Sequence, residues 1–452
     1  MTFPAYPAYK NSGVQWIGSI PEHWCASRLR NIFFIQKRIA GKLGFDVLSI
    51  TNKGVKIKDV ESGDGQLSSD YSKYQLVMKG EFAMNHMDLV TGYVDISEFD
   101  GVTSPDYRVF SSVHPELDNP RFMLRLLQNA YHQKLFFPFG QGSAHLGRWR
   151  LPAEEFKDFF FPRPSRFEQT QIARFLDHET ARIDALIEEQ QRLIELLKEK
   201  RQAVISHAVT KGLDPTVQMK DSGVKWLGEV PAHWEITQIK RRCNLITDGA
   251  HISPETESGV YCFVSTRDVS DEGIDFDGCL RTSAASYEYL VKTGCQPAAG
   301  DVLFSKDGTI GRTIVVGENS PDFVVASSLI IIRPNRAELL PIYLDFMCQS
   351  WVVSQQVDGF VKGAGLPRLS IQNLTKVVGV FPPLEEQALI SDFLQLQCVA
   401  ARQLSSEAWR TMELLKERRS ALISAAVTGK IDVRAWQPPA SVPTPKLVQE
   451  AV

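Results

Sequence analysis

Two long stretches of the chain place apolar residues at alternating intervals of three and four positions. The first, from Ser165 to Val209, contains neither glycine nor proline, and Gly212 and Gly429 follow the two stretches as stop signals. This spacing predicts two amphipathic helices, each with a coiled-coil-like apolar seam. The predicted seam consists of Leu176, Ile183, Leu186, Leu193, Leu197 and Val204 in the first helix, and of Leu394, Leu404, Met412, Leu415 and Leu422 in the second.

A short motif that precedes each long stretch occurs twice in the chain. Residues 12–24 read SGVQWIGSIPEHW, and residues 222–234 read SGVKWLGEVPAHW. Serine, glycine, valine, both tryptophans, proline and histidine recur in register. We expect these tryptophans to pack where a domain joins the helices, and a direct role in binding is the alternative.

The ends of the two predicted helices are also repeated. Residues 193–214 read LIELLKEKRQAVISHAVTKGLD, and residues 411–432 read TMELLKERRSALISAAVTGKID. The order along the chain is therefore short motif, variable block, long helix, and then the same again. An amphipathic helix must bury its stripe, and the economical partner for each copy is the other, paired antiparallel.

These patterns predict a mixed α/β chain with a pseudo-twofold internal duplication. Two domains of similar mixed fold are separated by two long antiparallel helices that form a coiled-coil pair. The expected boundaries are 1–160 for the first domain with its repeat motif, 161–214 for the central helix, 215–380 for the second domain and 381–433 for the C-terminal helix. Residues 434–452 are rich in proline and are expected to be disordered.

Composition narrows the class of protein without identifying a ligand. Apolar residues make up 43% and charged residues 23% of the chain, as in soluble globular proteins. No apolar run is long enough to span a membrane and no secretion signal is evident, so we expect a cytoplasmic protein. The seven cysteines include no C-x-x-C pair, which argues against a disulfide framework and a zinc ribbon. The net charge of −3 neither supports nor excludes nucleic-acid binding.

One further motif connects the duplication to a known family. Residues 382–387 read PPLEEQ and lead into the second long helix, and a degenerate copy before the first helix retains only Glu168 and Gln169. Together with the duplicated motifs, this arrangement resembles the specificity subunit of type I restriction-modification systems. The resemblance extends from about Asn11 to Asp432.

The resemblance implies a function in DNA recognition. The two domains would be target recognition domains, each reading one half of a split sequence in double-stranded DNA. The subunit would bind two methyltransferase subunits, which methylate adenine N6, and two motor-nuclease subunits. It would not be the catalyst, and S-adenosylmethionine, ATP and magnesium would be cofactors of the partner subunits.

The sequence lacks the motifs of an active site of its own. Residues 118–122 read DNPRF, which lacks the second proline of the loop with which adenine methyltransferases hold a flipped base. No phosphate-binding G-x-x-x-x-G-K-[ST] loop and no H-E-x-x-H zinc motif occur. We therefore predict no catalytic residues and no metal site.

Glycine-punctuated loops rich in hydrogen-bond donors are the predicted DNA contacts. Glycine lets the backbone approach a ligand closely, and the polar side chains can reach phosphates or base edges. The first block contributes Asn85, His86, Thr91, Gln141, Ser143, His145, Arg148 and Arg150, and the second contributes Ser305, Lys306, Thr309, Arg312, Lys362 and Arg368. The alternative is that these are hairpin turns whose polar residues are incidental.

Two other classes of function remain open from the sequence. A scaffold could bind two copies of a protein partner through its repeats without reading DNA. A self-sufficient enzyme is the third hypothesis, and the missing motifs argue against it.

Overall fold

The computed structural model of the protein describes residues 3–59, 71–143, 148–252, 254–256, 259–361 and 367–439. Its N-terminal part contains strands β1 Tyr9–Asn11, β2 Ser19–Pro21, β3 Cys25–Arg28, β4 Phe33–Gln36, β5 Leu48–Thr51, β6 Gly54–Ile57, β7 Gln75–Val77, β8 Phe82–Met84, β9 Val94–Ile96, β10 Gly101–Thr103, β11 Arg108–Ser112, β12 Gln141–Ser143, β13 Arg148–Arg150 and β14 Phe160–Arg163, and helices α1 Pro120–His132, α2 Ala153–Asp158 and α3 Arg166–Lys211.

The remaining part of the chain repeats this order of strands followed by a long helix. It contains strands β15 Met219–Asp221, β16 Glu229–Pro231, β17 Glu235–Gln238, β18 Cys243–Asp248, β19 Tyr261–Val264, β20 Val269–Ser270, β21 Gly273–Ile274, β22 Leu280–Thr282, β23 Val302–Ser305, β24 Thr313–Val315, β25 Phe323–Val325, β26 Leu329–Pro334 and β27 Val378–Phe381, and helices α4 Ala284–Lys292, α5 Pro341–Gln349, α6 Trp351–Phe360, α7 Ile371–Leu374 and α8 Leu384–Val427.

The chain forms two compact units, and both long helices contribute to each. The first unit consists of Met1–Gln190 with Arg410–Val452, and the second of Gln191–Trp409. This division falls inside α3 and α8, whereas the boundaries predicted at 160, 214, 380 and 433 lie near the helix ends. Those domain boundaries stay a prediction.

The first unit is built on a four-stranded antiparallel sheet in the order β4-β11-β8-β9. Its core is aromatic: the ring centroid of Phe33 lies 5.1 Å from that of Phe82 and 4.9 Å from that of Phe110. Helix α1 joins this core through buried Leu126 and Leu127. Such rings bury large areas and favour edge-to-face contacts, which fixes the sheet against the helix.

The second unit contains a sheet of the same topology, in the order β18-β26-β23-β24. In the first unit Phe110 pairs with Phe82, and in the second Ile332 pairs with Val302. The second unit also contains a three-stranded sheet, β22-β19-β25, in which β19 and β25 pair in parallel. In the first unit, Val47 and Val102 form a parallel bridge between the β5 and β10 segments. The mixed α/β fold with two similar domains is therefore confirmed.

The long helices pair antiparallel, as predicted, and this can be seen within each unit separately. In the first unit, the N-terminal part of α3 lies beside the C-terminal part of α8, where Arg419 Nε is 2.8 Å from Asp184 Oδ1. In the second unit, the C-terminal part of α3 lies beside the N-terminal part of α8, where Arg201 Nε donates to Cys398 Sγ at 3.4 Å. Each helix thereby buries its apolar stripe against its own repeat.

The buried stripe corrects part of the predicted seam. Leu186, Leu193 and Leu404 are 37%, 41% and 49% exposed, while the neighbouring Ile187 and Ile194 are half-buried. An α-helix has about 3.6 residues per turn, so adjacent side chains point about 100° apart and only one of two neighbouring apolar residues faces the partner helix directly. The other predicted seam residues are buried, namely Leu176, Ile183, Leu394 and Met412, or half-buried, namely Leu197, Val204, Leu415 and Leu422.

A duplicated glutamine fastens each long helix to the domain that precedes it. Gln387 Nε2 donates to the carbonyls of Glu338 and Pro382, and its Oε1 accepts from the Leu340 amide, all at 2.9 Å. This amide therefore links α8 to the chain just before α5, which begins at Pro341.

Gln169 makes the equivalent contacts in the first unit. Its Nε2 donates to the carbonyls of Leu117 at 3.1 Å and Pro164 at 3.0 Å, and its Oε1 accepts from the Asn119 amide at 2.7 Å. Helix α1 begins one residue later, also with a proline. The degenerate first copy of the motif thus retains the same polar junction as the complete one.

The repeated tryptophan motifs pack against the ends of the long helices. Trp24 and Trp234 are fully buried. Gly429 has a φ of +74°, and a Cβ there would lie 2.5 Å from Pro21 Cδ, while Gly212 has a φ of +77° and faces Trp234. Glycine is required at such helix ends because the backbone is left-handed and a neighbour lies close.

The C-terminal segment is packed further than the sequence indicated, which corrects the expectation of a disordered tail for residues 434–439. The ring of Trp436 lies 5.3 Å from that of Phe175, edge to face. Gln171 Nε2 donates to the carbonyl of Val433 at 3.3 Å, and the Arg434 guanidinium lies 5.0 Å from the centre of the Tyr6 ring. Residues 440–452 lie outside the described part of the chain.

Among the helices in the described ranges, not one combines the length and the apolar character that a bilayer crossing requires.

Candidate nucleic-acid interface

A polar cleft opens in the first unit where β8 and β11 meet the β12–β13 hairpin. It has a volume of about 380 Å³. Three predicted DNA contacts, His86, Gln141 and Arg150, line it together with Arg108 and Lys37, which were not predicted. Gln141 and Arg150 are cross-strand partners in the hairpin, so the ladder holds both at the rim. We call this cavity the first-unit cleft.

Arg108 is the most deeply placed cation of the first-unit cleft. It is 4% exposed, its Nη2 donates to the Leu151 carbonyl at 3.0 Å, and its guanidinium lies 4.8 Å from the centre of the Phe156 ring. Its Nη1 is buried without a hydrogen-bond partner in the described structure. Burial lowers the pKa of Arg108 to about 10, which leaves the group charged at neutral pH.

His86 stands beside this arginine and is neutral. Burial, and then the charges of Arg108 and Arg150, lower the pKa of His86 to about 3. Its Nδ1 and the Oδ1 of the adjacent Asn85 are both buried without a partner among the described residues. Buried polar atoms are normally hydrogen-bonded, so the unpaired atoms of His86 and Arg108 make the first-unit cleft a candidate binding site.

The lowered pKa of His86 predicts a pH-dependent stability. Below its ordinary pKa of 6.5, the imidazole takes up a proton in the unfolded chain but not in the folded one. Stability contributed by this group is therefore present above pH 6.5 and is lost as the pH falls, by up to about 2 kcal/mol at pH 5. Replacing His86 by asparagine should reduce the drop in melting temperature between pH 7.5 and pH 5.0.

The exposed His114 offers a matched control for this measurement. His114→Asn removes one histidine from the same unit without removing a buried one. If the two variants show the same change in melting temperature with pH, the explanation through burial of His86 is wrong.

At the position in the second unit that corresponds to His86, a lysine is paired with an aspartate. Lys306 lies 220 positions after His86 and follows β23 as His86 follows β8. It is 4% exposed, and its Nζ forms an ion pair with Asp248, whose Oδ2 also lies 2.9 Å from His251 Nε2. Hydrogen bonds from Lys306 and His251 hold the pKa of Asp248 below its ordinary value, although burial opposes this.

Two predicted DNA contacts of this loop stabilise its conformation. Ser305 is fully buried, accepts from the Arg312 amide at 2.8 Å through Oγ and donates to the Thr309 carbonyl. The ammonium group of Lys306 is already paired with the carboxylate of Asp248. A buried and satisfied side chain would have to break these bonds to reach a base edge, so the arrangement does not support the DNA contacts of Ser305 and Lys306, which stay a prediction.

Other predicted contacts of the second unit lie around the same loop. Arg368 is exposed, and its Nη2 lies 3.6 Å from Asp307 Oδ2. The backbones of the two residues also form an isolated antiparallel β-bridge. Thr309 is exposed, and Arg312 Nη1 donates to the Val269 carbonyl at 2.7 Å. Lys362 lies outside the described residues.

The remaining predicted contacts of the first unit have mixed placements. Thr91 is exposed but donates to the Asp88 carboxylate within its own turn, which occupies its hydroxyl. Ser143 and Arg148 are backbone partners in the β12–β13 ladder. His145 lies outside the described residues.

Arg108, Lys37 and Asp248 do not appear among the residues predicted from the sequence. Each belongs to a strand or its end and not to a glycine-rich loop, which was the pattern searched. The sequence contains one indication of Arg108, which begins the apolar run Arg108-Val109-Phe110. A charged residue at the start of a buried strand is unusual and indicates a specific role.

The described residues contain no group of three or more histidine, cysteine, aspartate or glutamate side chains placed to hold a metal ion.

The segment that partly resembles an adenine-binding loop is a helix start. Asn119 caps α1 by accepting from the amides of Arg121 at 3.0 Å and Phe122 at 3.2 Å, and Asp118 is buried against Arg163 at 2.8 Å.

Comparison with protein families identifies a domain within the second half of the chain. Residues 231–396 match the family model of the type I restriction modification DNA specificity domain. A putative type I restriction enzyme MjaX specificity subunit from Methanocaldococcus jannaschii is 22% identical over 437 residues, covering 92% of this chain and 96% of that protein. The EcoBI specificity subunit of Escherichia coli is 24% identical over 251 residues, covering 52% of this chain and 51% of that protein.

Solved structures have the same fold along most of the chain. A chain from a structural study of complex assembly and conformational transition in the type I R-M system has a TM-score of 0.69 at 15% identity, covering 91% of this chain and 99% of its own length. The HsdS subunit of Thermoanaerobacter tengcongensis has a TM-score of 0.52 at 16% identity, covering 91% and 98%.

Proposed function

We propose, from the premise that this chain is a specificity subunit of the type I restriction-modification family, that it directs a larger complex to one split DNA sequence. Each unit would read one half-site of double-stranded DNA with the strand-end surface described above. The chain itself would carry no catalytic step, and S-adenosylmethionine, ATP and magnesium would be bound by partner subunits. The complex would act in the cytoplasm.

One observation carries this proposal: two sheets of the same topology present different chemistry at equivalent positions. The first unit has Arg108 opposite Met84, and the second has Ile330 opposite Phe304. The first-unit cleft holds unpaired cations, whereas Lys306 is neutralised by Asp248. Similar frames with different surface groups suit the reading of two unlike half-sites.

An exchange of domains tests the proposal. Residues 25–161 would be replaced by the corresponding block of a homologous subunit with a different target, and the methylated sequence would be mapped in host DNA with the methyltransferase partner present. We expect one half-site to change while the other half-site is retained.

Exchange of residues 235–381 is the reciprocal control and should change only the other half-site. A change in both halves after a single exchange would contradict the assignment of one half-site per unit. No change after either exchange would favour the scaffold hypothesis, in which all sequence preference comes from the partner.

Docking of two methyltransferase subunits, and of motor-nuclease subunits through them, is also proposed. Support comes from the exposed face of α8 in the second unit, where Leu389, Phe393 and Leu396 are 64%, 36% and 71% exposed at helical spacing. A row of exposed apolar side chains on one helix face is typical of a protein interaction surface.

A further inference from the structure

We propose that the first-unit cleft seats a phosphate group of the DNA backbone, with Arg108, Arg150 and Lys37 as its cationic ligands. This inference rests on the proposed function, because it names which chemical group of the DNA enters the cleft. It assigns to Arg108, a residue outside the predicted loops, the role of an anchoring residue.

Arg108 is buried without a compensating negative charge among the described residues. Its side chain makes one hydrogen bond, to the Leu151 carbonyl, and forms no ion pair among the described residues. Taking a full charge out of water without a counter-charge is strongly unfavourable. An arginine held in this way, with Nη1 unpaired beside an open cleft, indicates an anion that arrives with the ligand.

The described lining of the first-unit cleft contains no carboxylate. Besides Arg108, the walls carry Arg150, Lys37 and the neutral His86, with glutamines, Tyr107 and apolar groups. Neither Arg150 nor Lys37 forms an ion pair in the part of the chain that the structure describes. The cleft therefore concentrates positive charge with no internal partner.

The two units differ in charge at the position beside the cleft. In the second unit, Asp248 pairs with Ile330 across the sheet and neutralises the buried Lys306. In the first unit, Gln36 pairs with Val109, so the next residue, Lys37, stands at the place of Asp248. The second unit supplies its own carboxylate, and the first unit has a lysine there, which leaves the negative charge to the ligand.

A phosphate fits this chemistry better than a base edge does. Phosphate oxygens accept hydrogen bonds and carry a full negative charge, as three cationic side chains require. A base edge offers partial charges and, in most bases, also donors that arginine cannot accept from. Phosphate contacts fix the register of a protein on the duplex without reading sequence.

The test measures the salt dependence of DNA binding by the full-length chain assembled with its methyltransferase partner. Arg108→Met and Arg150→Met should each weaken binding on the order of tenfold and lower the slope of log K against log salt by about one. The preferred bases should stay the same. Lys157→Met is the matched control, because it removes one exposed positive charge from the same unit outside the cleft.

A second arm identifies the source of the phosphate. Duplexes with a single uncharged methylphosphonate at successive positions of the first half-site would be bound to the original protein and to Arg108→Met. At one position, we expect the substitution to weaken the original protein about tenfold and the variant hardly at all. Arg150 is exposed, so its variant keeps the test valid if Arg108→Met does not fold.

The outcomes separate this inference from the proposed function. Equal effects of every methylphosphonate on both proteins, or a changed base preference with an unchanged salt slope, would overturn the phosphate seat while leaving the DNA-recognition function intact. Stabilisation of the original protein by inorganic phosphate alone, with DNA binding insensitive to both variants, would also overturn it. Failure of the assembled protein to select any split sequence would instead refute the proposed function.

Discussion

Replacing Gln387 by leucine should lower the melting temperature of the protein by about 6 to 12 °C, because about 3 kcal/mol of stability in the second unit is lost. The side chain is fully buried and makes three hydrogen bonds to backbone groups, at 2.9 Å each. Leucine fills similar space but leaves two carbonyls and one amide without partners. Each such group costs about 1 to 3 kcal/mol when it stays dry.

The same helix provides the control for this substitution. Gln395→Leu makes the identical chemical change at an exposed position of α8 and should leave the melting temperature within about a degree. Gln169→Leu should reproduce the effect in the first unit, since its three contacts match those of Gln387. Equal melting temperatures for Gln387→Leu and Gln395→Leu would show that the junction does not hold the domain.

Lengthening both long helices by four residues should lengthen the spacer between the half-sites and leave both half-sites unchanged. Four residues add about 6 Å to a helix, which corresponds to one to two base-pair steps of about 3.4 Å. They also turn the helix by little more than one full turn, so the apolar stripes stay on nearly the same face. The insertions belong within residues 188–200 of α3 and residues 402–408 of α8, since antiparallel partners must grow together.

Methylation mapping of host DNA reads the spacer directly. A pair of alanine substitutions at exposed Glu195 and Glu199 changes the same window without changing its length, and should leave the spacer as it was. An unchanged spacer after the double insertion would refute the idea that the helices set the separation. It would not affect the assignment of one half-site per unit.

The residues of the candidate interface could be predicted only in part. His86, Gln141 and Arg150 were singled out from loop composition, and the structure brings all three to one cleft. Ser305 and Lys306 came from the same criterion and turned out to be buried and satisfied. Loop composition shows which side chains have donors, but whether a donor is free depends on partners that are distant in sequence.

The long helices illustrate both sides of this limit. Their existence and antiparallel pairing follow from a repeated stripe that each copy must bury. The sequence does not fix which residues of α3 face α8, because Leu186 and Ile187 are equally apolar. In the structure Ile187 is half-buried and Leu186 is exposed. Likewise, the proline-rich composition gave no sign that Trp436 packs on Phe175, a contact made between residues 261 positions apart (436 minus 175).

By itself, the amino-acid sequence determined the duplication, the two long helices, their stop signals at Gly212 and Gly429 and the resemblance to a known family, because these depend on local periodicity and on motifs that recur in order. Only the tertiary structure decided that Lys306 meets Asp248 while Arg108 meets no carboxylate among the described residues. Those encounters are fixed by strand register over many tens of residues, and a shift of one residue would turn each side chain to the opposite face of its sheet.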